Sequence, residues 1–141
     1  MTTNDVVSTL SQLYRAEFSC PTARLTQAMP YISRRETAEG RTLRAVAQED
    51  QEHLGWLVDL ILARGGSPPP AKYPLFSTET HYVNLDSLLP TLIRSERDLL
   101  ATYAAAGPAL SADPQAARAV AQIIQRHTNH LATFESLKPR T

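Results

Sequence analysis

Apolar residues recur along this chain at spacings of three and four, and breakers cut the pattern into four long stretches. The first runs from about Asn4 to Met29 on Val6, Leu10, Leu13, Tyr14 and Leu25, and Pro30 closes it. Pro21 lies inside this stretch, where it removes the hydrogen bond to the carbonyl of Glu17 and predicts a kink. The second opens at Ser33, whose hydroxyl pairs with Glu36 in a capping box, and stops at Gly65-Gly66. Its stripe of Leu43, Val46, Leu54, Leu57 and Ile61 fits one helical face. The third is predicted from roughly Ser87 to Ala106, with Pro90 in its first turn and Gly107-Pro108 as a stop. Asp113-Pro114 then supplies an N-cap followed by proline at the first helical position, and the fourth helix reaches Leu137. No short alternating run flanked by hairpin turns competes with these stretches, so the pattern predicts an all-α, antiparallel four-helix bundle.

Between the second and third helices, Ser67 to Leu85 holds Pro68, Pro69, Pro70 and Pro74 together with Tyr73, Phe76 and Tyr82. A connection of this length is unusual unless it has a long way to travel, as a crossover along a bundle does. Residues 1–141 therefore read as one four-helix domain with a strap between helices two and three.

The chemistry lies in the apolar seams. Glu17 continues the stripe of Leu10 and Leu13, and Asp50 and His53 stand between Val46 and Leu57. Glu96 falls between Leu92 and Leu99, while His127 and His130 interrupt the run from Val120 and Ile123 to Phe134. Each interruption is near mid-helix, so antiparallel packing brings all six groups to a similar depth. A carboxylate among leucines is expensive to ionise, and a divalent cation resolves the cost by accepting carboxylate oxygen and imidazole nitrogen from facing helices. Each residue taken singly has a plainer reading. Glu17 or Glu96 would pair with an arginine such as Arg15 or Arg97, His53 would be a hydrogen-bonded core histidine, and the layer as a whole would only fix the register of the bundle.

Composition narrows the surroundings. Fourteen Lys/Arg balance fourteen Asp/Glu in 141 residues, and no basic run exceeds Arg34-Arg35, which argues against a nucleic-acid surface. No stretch approaches the ~20 apolar residues of a membrane span, and the start, Met1 to Asp5, is unlike an export signal. A single Cys20 rules out an intramolecular disulfide framework, and the chain reads as cytoplasmic by default. If Glu17, Asp50 and Glu96 are interior, the exterior keeps fourteen basic against eleven acidic groups around an acidic, histidine-rich centre.

On these residues the sequence resembles the ferritin-like family of di-iron carboxylate bundles, which includes bacterioferritins and rubrerythrins. The run from Ala47 to Pro68, with its acidic cluster, His53, leucines and Gly-Gly-x-Pro exit, is similar to the family's second helix. Tyr14 to Glu17 is similar to its first-helix glutamate segment, and Glu96 with Tyr103 to its third helix. The resemblance implies Glu17 and Glu96 as terminal ligands on opposite irons and Asp50 and His53 at the Glu-x-x-His positions. It departs in the fourth helix, where His127-Thr-Asn-His130 stands in place of a second Glu-x-x-His. The glutamate so displaced bridges two irons through two oxygens, whereas a neutral imidazole has one free lone pair and binds one metal.

The three remaining carboxylates leave two Fe²⁺ one negative charge short, with Glu49 and Glu52 as the nearby reserves. The implied cofactor is iron, as two Fe, with one Fe, Mn or Zn as the alternative. The implied chemistry is oxidase, ferroxidase or peroxidase-like, with O2 or peroxide as reactant. The lack of a further helix beyond Lys138 and of rubredoxin-type cysteines favours redox chemistry over storage. Tyr14, Tyr103, Cys20 and His81 are accessory candidates, better read as ordinary core or loop residues, and exposed helix faces leave room for a homodimer. A metal-free helical interaction module stays open beside these readings.

Overall fold

A computed structural model describes residues 3–21, 37–70 and 85–137. They form four helices and no strand: α1 (Thr3–Ser19), α2 (Thr37–Ala63), α3 (Leu85–Leu110) and α4 (Pro114–Ser136). Helix α1 buries Val6, Leu10, Leu13 and Glu17, the face that the three-four spacing assigns to the core. It does not continue through Pro21 as a kinked helix but ends at Ser19. Pro21 has no N–H to offer the Glu17 carbonyl, which accepts from Cys20 N at 3.2 Å instead, and that tighter bond closes the helix. The remainder of the predicted first stretch, from Thr22 to Met29, and the Ser33–Glu36 capping box lie outside the described residues.

The exit of α2 follows its two glycines. Gly65 takes φ +80°, and its N–H reaches Leu62 O at 3.0 Å while that of Gly66 reaches Ile61 O at 3.0 Å. This paired closure needs the left-handed conformation that glycine adopts without strain. Gly66 also lets α1 come close, because a Cβ there would lie 2.7 Å from Val7 Cγ1.

Helix α3 runs past the predicted stop, through Gly107-Pro108 to Leu110, and it also begins two residues earlier, so Pro90 sits in its second turn. Both prolines face solvent, where their missing N–H groups cost least, and the continuation buries Leu110 beside Tyr103 in one apolar cluster.

Helix α1 packs on α2 and α3, and α4 packs on α3 and α2. The pairings Val7 with Gly66, Arg64 with Asp113, and Glu49 with His130 make the α1–α2 and α2–α4 neighbours antiparallel. In α3 and α4, Arg97 pairs with Glu135 while Leu110 leads directly into the α4 cap, so this pair is antiparallel too. Consequently α2 and α3 are parallel, and the end of α2 and the start of α3 lie at opposite ends of the bundle.

The α4 cap is built as its sequence predicts. Asp113 Oδ1 accepts from Ala116 N at 3.1 Å, with Pro114 opening the helix. The same carboxylate takes two bonds from the Arg64 guanidinium, at 2.6 and 2.7 Å, and Arg64 Nη1 donates to Leu60 O at 2.9 Å. One fork thus ties the end of α2 to the start of α4. The Arg64 bonds hold the Asp113 carboxyl below its ordinary value, against the smaller opposing effect of burial. A depressed carboxyl stabilises the fold above its unfolded pKa, and the contribution is lost as pH falls through the depressed folded value. Asp113→Asn keeps a cap acceptor and removes the charge. Urea unfolding is therefore expected to show the native protein more stable at neutral pH, with the gap closing as the pH falls through the depressed folded value of Asp113.

The apolar interior is divided in two. One cluster gathers Leu10, Leu13, Leu57, Ile61, Tyr103 and Ile123, and the other gathers Leu43, Val46, Leu89, Leu92, Ile93 and Phe134. Between them lies a layer of buried polar residues.

Candidate metal centre

That layer is made of Glu17, Asp50, His53, Glu96, His127 and His130, none more than 3% exposed. Each sits on the buried stripe of its helix, so the same spacing that packs the leucines turns these groups inward. Asp50 and His53, and likewise His127 and His130, are three residues apart and therefore share a face.

His127 occupies the middle. Its Nε2 lies 2.8 and 2.9 Å from the two Glu17 oxygens, and its Nδ1 lies 2.7 Å from Glu96 Oε2. His53 Nδ1 lies 2.7 Å from Glu17 Oε1 and 3.5 Å from Asp50 Oδ1. His130 turns its Nδ1 inward, 3.7 Å from both Asp50 Oδ1 and Glu96 Oε1, and its Nε2 outward to Glu49 Oε1 at 2.7 Å.

Burial alone would raise the Glu17 and Glu96 carboxyls, but the histidine bonds outweigh it and hold both below their ordinary values. Asp50 goes the other way, raised first by burial. Burial would lower all three imidazoles, yet the carboxylates raise them, and His127, between Glu17 and Glu96, is pushed up to about 11. Without a metal, His127 is thus an imidazolium donating one N–H to each glutamate, a cation held between carboxylates.

Two sets of donor atoms are close enough to hold an ion. Glu17, Asp50, His53 and His127 form one and Glu96, His127 and His130 the other, the atoms within each set lying inside 4.8 Å of one another. The nitrogen and oxygen composition suits a borderline divalent cation. Among the described residues, Glu96 Oε1 and His130 Nδ1 are buried with no hydrogen-bond partner, and both face this interior. Buried polar groups are normally paired, so a donor set with such atoms facing inward fits a cation.

The arginine pairings considered for single residues do not form. Arg97 turns outward to Glu135 at 3.0 Å, and Arg15 is exposed. Glu49, named from the sequence only as a nearby reserve of negative charge, borders this layer. It sits beside buried Asp50 at the edge of the bundle, holds the outer nitrogen of His130, and lies 3.9 Å from Arg126 Nε. Arg126 in turn bonds Glu52 at 2.7 Å and covers the Trp56 ring at 4.6 Å.

Tyr103 is fully buried with its ring 5.9 Å from that of His127, whereas Tyr14 stacks on Phe18. Burial and then the charge of Glu17 push the Tyr103 hydroxyl well above its ordinary value, so it stays protonated. Cys20 is buried in the cluster that holds Leu13 and Tyr103, and His81 lies outside the described residues.

No protein-family profile and no curated protein matches the chain. Among solved structures, the chain is similar to a ferritin-like, diiron-carboxylate protein from Bacillus anthracis str. Ames. The match covers 99% of this chain and 100% of that one, with a TM-score of 0.79 and 15% identity. At that identity the likeness establishes the fold. No described helix is long and apolar enough to cross a membrane. The chain has the ferritin-like four-helix fold, and that fold brings Glu, Asp and His side chains of metal-ligating type into one buried cluster.

Proposed function

We propose that the protein is a metal-binding ferritin-like oxidoreductase that holds two iron ions, or a mixed metal pair, in its polar layer and reacts with O2 or peroxide. The observation that carries this reading is the double donor set, buried on every side and meeting at His127. Two bound ferrous ions would supply the two electrons that, with two protons, reduce O2 to peroxide or peroxide to water.

The chain's own part is to bind and to exclude water. Glu17, Asp50 and His53 serve one ion, Glu96 and His130 the other. The two apolar clusters seal the layer above and below, which strengthens every charge interaction inside it. The four-donor set, which can complete a tetrahedral site by itself, favours a single Zn, Mn or Fe as the second reading.

Anaerobic Fe²⁺ titration tests both. Saturation near two equivalents, followed by an oxygen-dependent near-ultraviolet band, is the expected result. Saturation at one equivalent selects the single-ion reading. No uptake overturns both and leaves a metal-free layer that sets the register of the bundle.

Glu49 enters as a positioning residue. By accepting from His130 Nε2 it fixes the tautomer and leaves the Nδ1 lone pair facing the site. Glu49→Ala is expected to weaken metal binding by about 10- to 100-fold, and Glu49→Gln, which keeps an acceptor oxygen, to recover most of that loss. Equal weakening by both substitutions would place the effect in charge rather than in the hydrogen bond.

A further inference from the structure

The middle of this layer is taken by a ring with two nitrogens, and both of them point at donor sets. His127 Nε2 faces Glu17, with Asp50 Oδ1 at 3.8 Å, and His127 Nδ1 faces Glu96 on the opposite side. The two sets share no residue but His127. We propose that His127 is the bridge of the centre, binding one divalent cation through Nε2 and a second through Nδ1. The inference rests on the two-metal reading above and departs from a carboxylate-bridged pair in how the ions are joined and how far apart they sit.

Charge supports the bridge. Two divalent cations bring four positive charges, and Glu17, Asp50 and Glu96 return three negative ones. An imidazole ligated at both nitrogens has given up both protons and carries one negative charge, which closes the balance without recruiting a further anion. The surroundings hold the ring in this pose. Glu17 and Glu96 fix its two edges, the Tyr103 ring lies 5.9 Å away, and the His53 and His130 rings lie 5.0 and 5.2 Å away. Rotating the ring would break two short bonds at once.

The bridge makes a geometric prediction. With metal–nitrogen distances near 2.0–2.1 Å on opposite edges of one ring, the ions stand about 6 Å apart, against roughly 3.5–4 Å for the usual two-metal clamp. The ion on the Glu96 side has three donors against four for its neighbour, which leaves it an open position, so a small oxidant would meet that ion alone rather than being clamped between two.

Zn²⁺-loaded protein provides the test, because anomalous diffraction locates each ion directly. Two peaks about 6 Å apart, one on each edge of the His127 ring, are expected. His127→Glu, which supplies one carboxylate with two oxygens, is expected to draw the peaks together by about 2 Å. In Cu²⁺-loaded protein the ring should couple the two spins, so the electron-resonance signal at two equivalents falls well below that of two isolated ions.

Two peaks at roughly 3.5–4 Å in the native protein, or a single peak, would overturn the bridge while leaving metal binding intact. Absence of bound Zn²⁺ would overturn the bridge and the metal reading together. The Cu²⁺ measurement needs no variant, so the proposal stays testable even if His127→Glu fails to fold.

Discussion

Saturating the protein with a divalent cation is expected to raise its thermal midpoint by on the order of 10–20 °C. A ligand that binds only the folded state stabilises it by about 4 kcal/mol at a thousandfold its dissociation constant, and each kcal/mol moves the midpoint of a domain this size by several degrees. The layer gives the cation a large differential interaction. Three carboxylates and three imidazoles lie within one water-excluded level, and among the described residues Glu96 Oε1 and His130 Nδ1 have no hydrogen-bond partner. In the unfolded chain the same groups are far apart and solvated, and bind only weakly. Calorimetry with Mn²⁺, Zn²⁺ or anaerobic Fe²⁺, each compared with chelator, measures the shift. A midpoint that no cation moves would remove metal binding from the account and favour the layer as a register device.

Much of this centre was readable from spacing alone, because an amphipathic helix fixes which residues share a face. Glu17, Asp50, His53, Glu96, His127 and His130 were assigned to the interior by the leucines three and four positions away, and all six are buried. The cap at Asp113 and the exit at Gly65-Gly66 were likewise local matters, set by a side-chain acceptor and a left-handed residue.

Where spacing failed, the reason lay in tertiary context. Pro108 reads as a stop, but burial of Leu110 continues α3 past it. Pro21 reads as a kink, but the Glu17 carbonyl finds Cys20 N and the helix closes. Glu49 reads only as a reserve of negative charge, and its bond to His130 depends on which way that ring turns, a rotation that helical periodicity does not specify. The same holds for His127. The spacing puts this histidine on the buried stripe, and only packing reveals that both of its nitrogens are engaged.

In the metal-free protein, Glu17→Ala is expected to cost about 3–5 kcal/mol, while replacing the whole layer with apolar residues is expected to cost nothing or to gain about 1–4 kcal/mol. The contrast follows from what each change leaves behind. Removing Glu17 alone takes a short bond from two imidazoles, because His53 Nδ1 and His127 Nε2 both lean on its oxygens within 2.9 Å. His127 keeps Glu96 and His53 keeps only Asp50 at 3.5 Å, so each must lose a proton or stay charged with less compensation, and burial penalises the charged form. Substituting Met for Glu17 and Glu96, and Leu for Asp50, His53, His127 and His130, leaves no such imidazole. It also joins the apolar clusters above and below into one core. Denaturant unfolding of the two variants beside the native protein, all under chelator, measures both effects. If the apolar variant folds as well as the native protein and has lost cation-dependent stabilisation, the layer is kept for what it binds. If it falls well below the single substitution, the layer earns its place by specifying the bundle, and the six buried groups are structural.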